Sequence, residues 1–226
     1  PIRGREGPWE SFVDGLRLAR PVRSTDGRYV VSGWRADTFV AGAPQPRDDE
    51  VVATGVRLHE ATSKLERPRF LTQLPVPPWT DVDVFTTADR AAWEERPLQS
   101  LPLGAPALPE TDDRQQAREL LTQLAGLRKP TKGSPQLVHG DLYGTVLFAG
   151  AAAPGIVDIT PYWRPASWAA GVVVVDALAW GDADDGLVER WDALPEWSQM
   201  LLRALMFRLA VHALHPLSSE ETFPGL

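Results

Sequence analysis

The chain has 226 residues, 43% of them hydrophobic, enough to bury a sizeable core as one large domain or as a domain with a smaller companion. A formal charge of −7 and a pI near 5.1 exclude a broad nucleic-acid surface, which needs clustered Lys and Arg. The absence of Cys excludes disulfides and Cys-based zinc sites and fits a cytoplasmic location, and no apolar run reaches the ~18 residues that span a bilayer, so neither a membrane partner nor a signal peptide is expected.

Residues 1 to 8, with Gly4, Gly7 and Pro8, read as a loose entry, and Trp9 to Leu18 as a short helix. Arg28 to Trp34 and Arg35 to Val40 read as two strands, with Asp26-Gly27 as the hairpin signal before them. Ala41 to Pro46 is a Gly/Pro linker. Arg47 to Lys64 is predicted helical: Asp48, Asp49 and Glu50 suit its N-terminal dipole, and Val51, Val52, Gly55, Leu58 and His59 share a face. Leu74 to Pro78 is a Pro-rich loop, Thr80 to Glu95 a second helix, and Pro97 to Pro109 a break. Thr111 caps an amphipathic helix whose apolar face carries Leu120, Leu121, Leu124 and Leu127. Lys129 to Pro135 leads into apolar Leu137-Val138. Trp168 to Trp180 is predicted to be a buried helix, although Val172 to Val175 alone would also suit a buried strand. Pro195 and Glu196 open a last long helix that runs through His215 to a stop at Pro216, with Leu202, Leu205, Met206 and Leu209 as core.

The chemistry concentrates in one stretch. His139-Gly140-Asp141-Leu142 ends one apolar run, and Ile156-Val157-Asp158 ends another seventeen residues after Asp141. Two short buried strands around a tight loop would hold both carboxylates at one end of a small sheet. One could accept a proton from a substrate hydroxyl, and the other could hold Mg²⁺ on a nucleotide's phosphates. The structural alternative is a pair of turn residues at strand ends, where Asp is common.

These residues resemble the catalytic core of the aminoglycoside-phosphotransferase-like branch of the protein-kinase-like superfamily. The run Val157-Asp158-Ile159-Thr160-Pro161-Tyr162-Trp163-Arg164-Pro165 looks like a distinct actinobacterial group within it. The resemblance covers about residues 17 to 215 and is most specific between Leu137 and Trp180. It implies an α+β, protein-kinase-like fold: mainly the helical C-terminal lobe over residues 42–226, with residues 1–41 as a reduced N-terminal lobe and hinge strand. It implies ATP and Mg²⁺ as cofactors and a small-molecule acceptor. By the same resemblance Asp141 is the catalytic base and His139 supports its loop. Asp158 is the principal metal ligand, Thr145 stands where a metal-binding Asn is expected, and Asp176 steadies the catalytic loop from a buried helix. Asp37, Phe39 and Val40 lead into the hinge that holds adenine through backbone groups. Tyr162, Trp163 and Arg164 follow the metal-binding Asp by four to six residues and are the acceptor-side candidates.

Two features depart from the family. Thr is a weaker metal ligand than Asn. The phosphate-covering Gly-rich hairpin and its strand Lys are also missing, because Lys64, Lys129 and Lys132 lie in no early strand. With no initiator Met, truncation, processing and natural loss of the lobe all remain open. The expected function is ATP-dependent phosphoryl transfer to a small-molecule hydroxyl. The alternatives are a catalytically silent kinase-like binding or scaffold protein and, more remotely, a metal-dependent hydrolase. Trp163, Trp168, Trp180, Trp191 and Trp197 read as core in preference to a ligand pocket. Asp182, Asp184 and Asp185 read as a solvated turn in preference to an amine-binding surface. His212 and His215, with no carboxylate near them in sequence, are not expected to bind metal.

Overall fold

Two sequence stretches are apolar nearly all round, and they organise the molecule. A helix without a polar face must be covered on every side. The computed structural model describes residues 13–72, 81–93 and 108–223, and in it both stretches are central helices: α4 (Ala166–Trp180) and α6 (Trp197–Leu214). They pack on each other. The helix α1 (Asp48–Thr62) packs on α4, while α2 (Asp81–Trp93) and α3 (Asp112–Ala125) pack on α6. A short α5 (Gly186–Arg190), for which the sequence carried no periodic signal, joins α4 to α6. Enclosure explains why Val172, Val173 and Val174 are helical and fully buried despite their β-branching. Trp168, Tyr162 and Phe207 meet edge to face at the centre, with ring centroids 5.4–5.7 Å apart. Such pairs add about 0.5–1.5 kcal/mol each beyond area burial.

The strands are short. In chain order they are β1 (Arg17–Leu18), β2 (Val30–Val31), β3 (Trp34–Arg35), β4 (Gln136–His139), β5 (Val146–Leu147), β6 (Gly155–Ile156) and β7 (Pro161–Arg164). β4 pairs antiparallel with β7, with His139 opposite Pro161 and Gln136 opposite Arg164. β5 and β6 form a separate hairpin, and β1 joins β6 in parallel. The molecule is thus mixed α+β, with six α-helices and small sheets among the described residues.

Several expectations are corrected. The described part of the predicted Trp9–Leu18 helix is a turn and a strand, because Arg17 N–H and Ala19 N–H donate to Pro154 and Ile156 across the open edge of β6. The hairpin turn of β2 and β3 is Ser32-Gly33, both at positive φ (49° and 83°), where Asp26-Gly27 makes only a local loop closed onto Ser24. The two long early strands shrink to β2 and β3, prolonged by bonds between Val22 and Ala36 and between Thr38 and Arg20. α3 buries Asp113, Arg114, Ala117 and Leu121, leaving Leu127 exposed. α6 starts at Trp197 because Glu196 is left-handed (φ 56°), and its carboxylate accepts the Lys132 and Gly133 amides. The predicted loops at Leu74 to Pro78 and, for the most part, Pro97 to Pro109 lie outside the described residues. Among those described, no helix is long and apolar enough to cross a membrane.

Gly140 shows how tightly the Asp141 loop is seated. A Cβ there would lie 2.4 Å from the Tyr162 ring and 3.2 Å from Trp168. Both neighbours are held in the aromatic cluster and cannot yield. Gly140→Ala is therefore expected to destabilise the fold by about 1–3 kcal/mol, the usual cost of overpacking, read as a lower urea midpoint with an unchanged m-value.

Candidate functional site

β4 delivers the chain to Asp141, and one imidazole at its end organises both carboxylate loops. His139 Nδ1 accepts the backbone N–H of Asp141 (3.2 Å) and of Thr160 (3.4 Å). Nδ1 is therefore bare, and Nε2 carries the proton, facing Thr145 Oγ1 at 3.4 Å. The Thr145 hydroxyl turns back into its own loop, toward the carbonyls of Asp141 (2.8 Å) and Leu142 (3.0 Å). The His139 amide donates to Nε2 of buried His59 on α1, 3.0 Å away. Gly140 N–H donates to Thr160 O at 3.0 Å. The loops of Asp141 and Asp158 are thus tied together through His139 and its neighbour.

The Asp141 side chain is half exposed, and its Oδ1 accepts from Arg208 Nη2 at 2.8 Å. Arg208 comes from α6 and is buried. Its Nε lies 2.6 Å from Asp176 Oδ1 on α4, and Nη2 reaches the second oxygen of the same carboxylate. Burial opposes the Arg208 charge, but Asp176 and then Asp141 restore it and hold the guanidinium protonated. Burial likewise pushes the Asp176 carboxyl up, against the pull of Arg208. Asp176 acts on the Asp141 loop through Arg208, a residue that no sequence motif singles out. A signal was there all the same: an Arg between Phe207 and Leu209 in an apolar helix needs a buried acid.

Asp158 comes just after β6 at φ 54°, a left-handed conformation that Asp tolerates better than most residues, and its side chain is 80% exposed. Arg35 of β3 reaches its Oδ1 at 3.3 Å. The same guanidinium binds Asp37 through Nε at 2.8 Å. Of the three predicted hinge residues, Asp37 is engaged by Arg35, Phe39 is 92% exposed, and Val40 is buried against Gly155.

The acceptor-side candidates do not gather at the carboxylates. β7 starts opposite His139 and carries them away, about 3.3 Å per residue. Tyr162 points into the aromatic core, where burial raises its pKa. Trp163 is half-buried opposite Leu137. Arg164 makes a bidentate pair with Asp89 of α2 (2.7 and 2.6 Å) and stacks over Trp93. A cavity of about 370 Å³, bordered by His59, Gln136, Ser167 and Pro195, lies at that far end of the β4–β7 ribbon and not at Asp141. His212 does find a carboxylate, Asp113 of α3 at 2.6 Å, in a buried helix–helix pair. Asp184 binds Arg190, in keeping with a solvated turn.

Among the described residues no three His, Cys, Asp or Glu side chains converge as a metal cage. Mg²⁺ seldom has one: it takes one or two carboxylates and completes its shell with phosphates and water. Asp158 fits that part. Thr145 is committed inside the loop. No family model, no curated protein and no solved structure matches the chain.

Two outcomes are expected from this network. Arg208→Ala leaves Asp176 buried without a counter-charge and should cost about 3–5 kcal/mol in chemical denaturation, whereas the double replacement Arg208→Met with Asp176→Leu should recover most of it. The second concerns pH. Burial lowers the pKa of His139 to about 4 and that of His59 to about 3. An unfolded imidazole near 6.5 takes up a proton that the folded one refuses, so stability is complete above pH ~6.5 and lost as pH falls toward those values. The loss should be about 2–3 kcal/mol per imidazole by pH ~4.5. Urea midpoints from pH 7 to 4.5 should fall less steeply in His59→Gln.

Proposed function

We propose that this chain is a phosphotransferase of protein-kinase-like design that moves the γ-phosphate of ATP to a hydroxyl of a small molecule. One observation carries the reading. Two carboxylates of different exposure stand on adjacent loops that share one neutral imidazole, and a buried guanidinium orients one of them. A buried ion pair is seldom better for stability than apolar residues of equal volume. What the Arg208–Asp176 pair supplies is an Asp141 fixed through Oδ1, with Oδ2 outside that pairing.

Asp141 takes the proton of the acceptor hydroxyl. The hydroxyl oxygen bonds to the γ-phosphorus as the bond from that phosphorus to the bridging oxygen breaks, and ADP leaves. Such a transition state is loose and relies on positioning more than on a strong base, which suits a carboxylate held by Arg208. Mg²⁺ held by Asp158 would neutralise phosphate charge. Here Thr145 is a loop staple and His139 a positioning residue.

The non-catalytic alternative has its own support. Arg35 already occupies Asp158, and Thr145 offers no ligand oxygen outward. The discriminating measurement is calorimetry of Mg-ATP together with phosphoryl turnover on this chain. Weak binding, well above low micromolar, is expected, lost on Asp158→Ala. Asp141→Asn should spare affinity and lower turnover. Full turnover by Asp141→Asn removes the base assignment, and binding without turnover in the unsubstituted chain selects the silent reading.

A further inference from the structure

On the proposed reading a polyphosphate held through Asp158 meets that carboxylate and, across one guanidinium, the carboxylate of Asp37, so a cation must offset them. Arg208 is buried and bound to Asp176 and Asp141. Lys129 and Lys132 belong to the loop before β4, held at the start of α6 by Gln199 and Glu196, at the far end of β4 from Asp141. Arg35 is different. It stands on β3 and is half exposed, with its guanidinium across Asp37 and Asp158. The two contacts are unequal. The Asp37 bond, 2.8 Å from Nε, has the length of a good charge-assisted bond and aims the guanidinium. The Asp158 contact is 3.3 Å, with a side chain 80% exposed. Exposed pairs of that kind exchange readily for another anion.

We propose that Arg35, aimed by Asp37, is the phosphate-binding cation of this site: it rests on Asp158 and transfers to a polyphosphate when a divalent metal takes the Asp158 carboxylate. The inference rests on the metal role given to Asp158 above. The chemistry is a competition and then a hand-over. Arg35 and the metal both want the Asp158 oxygens, so in the absence of phosphate Arg35 opposes metal binding. Once a metal polyphosphate arrives, the planar fork of the guanidinium keeps its Nε on Asp37 and has its Nη donors free for phosphate oxygens. The same side chain thus weakens binding of the bare metal and strengthens binding of the metal with phosphate.

The test measures both on the full chain: Mn²⁺ alone by the paramagnetic resonance of the free ion, and Mg-tripolyphosphate by calorimetry. Tripolyphosphate lacks adenine, so the hinge plays no part. Arg35→Ala, an exposed substitution whose fold is checked by circular dichroism, is expected to bind Mn²⁺ alone several-fold tighter and Mg-tripolyphosphate about tenfold weaker, the range of one charge-assisted bond. Arg35→Lys should fall between. If Asp158→Ala abolishes Mg-tripolyphosphate binding while Arg35→Ala stays within about twofold of the original chain, Arg35 is not the phosphate cation and the metal role of Asp158 stands. If Arg35→Ala tightens both ligands, Arg35 is only a plug and the hand-over is wrong. If Asp158→Ala changes nothing, or the unsubstituted chain binds no Mg-tripolyphosphate at millimolar concentration, the metal role fails and this inference with it.

Discussion

Arg208 carries a charge into the middle of a helical core, and the arrangement around Asp141 results from the need to answer that charge. Water is excluded there, so the answer must come from carboxylates. Asp176 supplies one from α4 and Asp141 supplies one from the loop after β4. The three residues therefore couple α4, α6 and the loop in a single electrostatic constraint. Packing alone could join the two helices, since Trp168, Phe207 and Met200 already do so. Only the charge dictates which way Asp141 faces.

A second constraint works through neutral groups. Both ring nitrogens of His139 are specified, one by two backbone donors and the other by Thr145, and the His139 amide is specified by His59. Protonation of either ring would turn an acceptor into a donor facing another donor. Burial prevents that at neutral pH. The consequence is a rigid connection from α1 through β4 to the residues after Asp158. Rigid loops bearing exposed carboxylates are what positioned chemistry requires.

The region around β2 and β3 is held more lightly. A two-stranded ribbon is marginal by itself. This one is joined to the rest through the backbone bonds of residues 20–22 with 36–38, the bridge of Ala43 to Phe148, and the exposed Arg35–Asp158 contact. Its outer residues Val30 and Trp34 are largely solvent-exposed. The helical side of the site is thus fixed by buried charge, and the hairpin side by exposed pairs. On the proposed reading, that asymmetry puts the adjustable cation opposite the rigid base.

Much of this was determined by the sequence alone. The helices α1, α2, α3, α4 and α6 are legible in periodicity, acidic first turns and proline stops, and the strands leading into Asp141 and Asp158 in short apolar runs ending at a carboxylate, whereas β7 carries no such signal. These signals are local, because a helix or strand is set largely by its own residues. Pairing is not local. That β4 takes β7 as its partner, leaving β5 to β6, depends on which edges remain open after the helices pack, and this choice removed Tyr162 and Arg164 from the site. The two partners of Arg208, the Asp158 contact of Arg35 and the Asp113 partner of His212 lie 32, 67, 123 and 99 residues away in sequence. No spacing rule reaches so far. Tertiary structure decided them, because a charge finds its partner through space and burial sets how strongly it must.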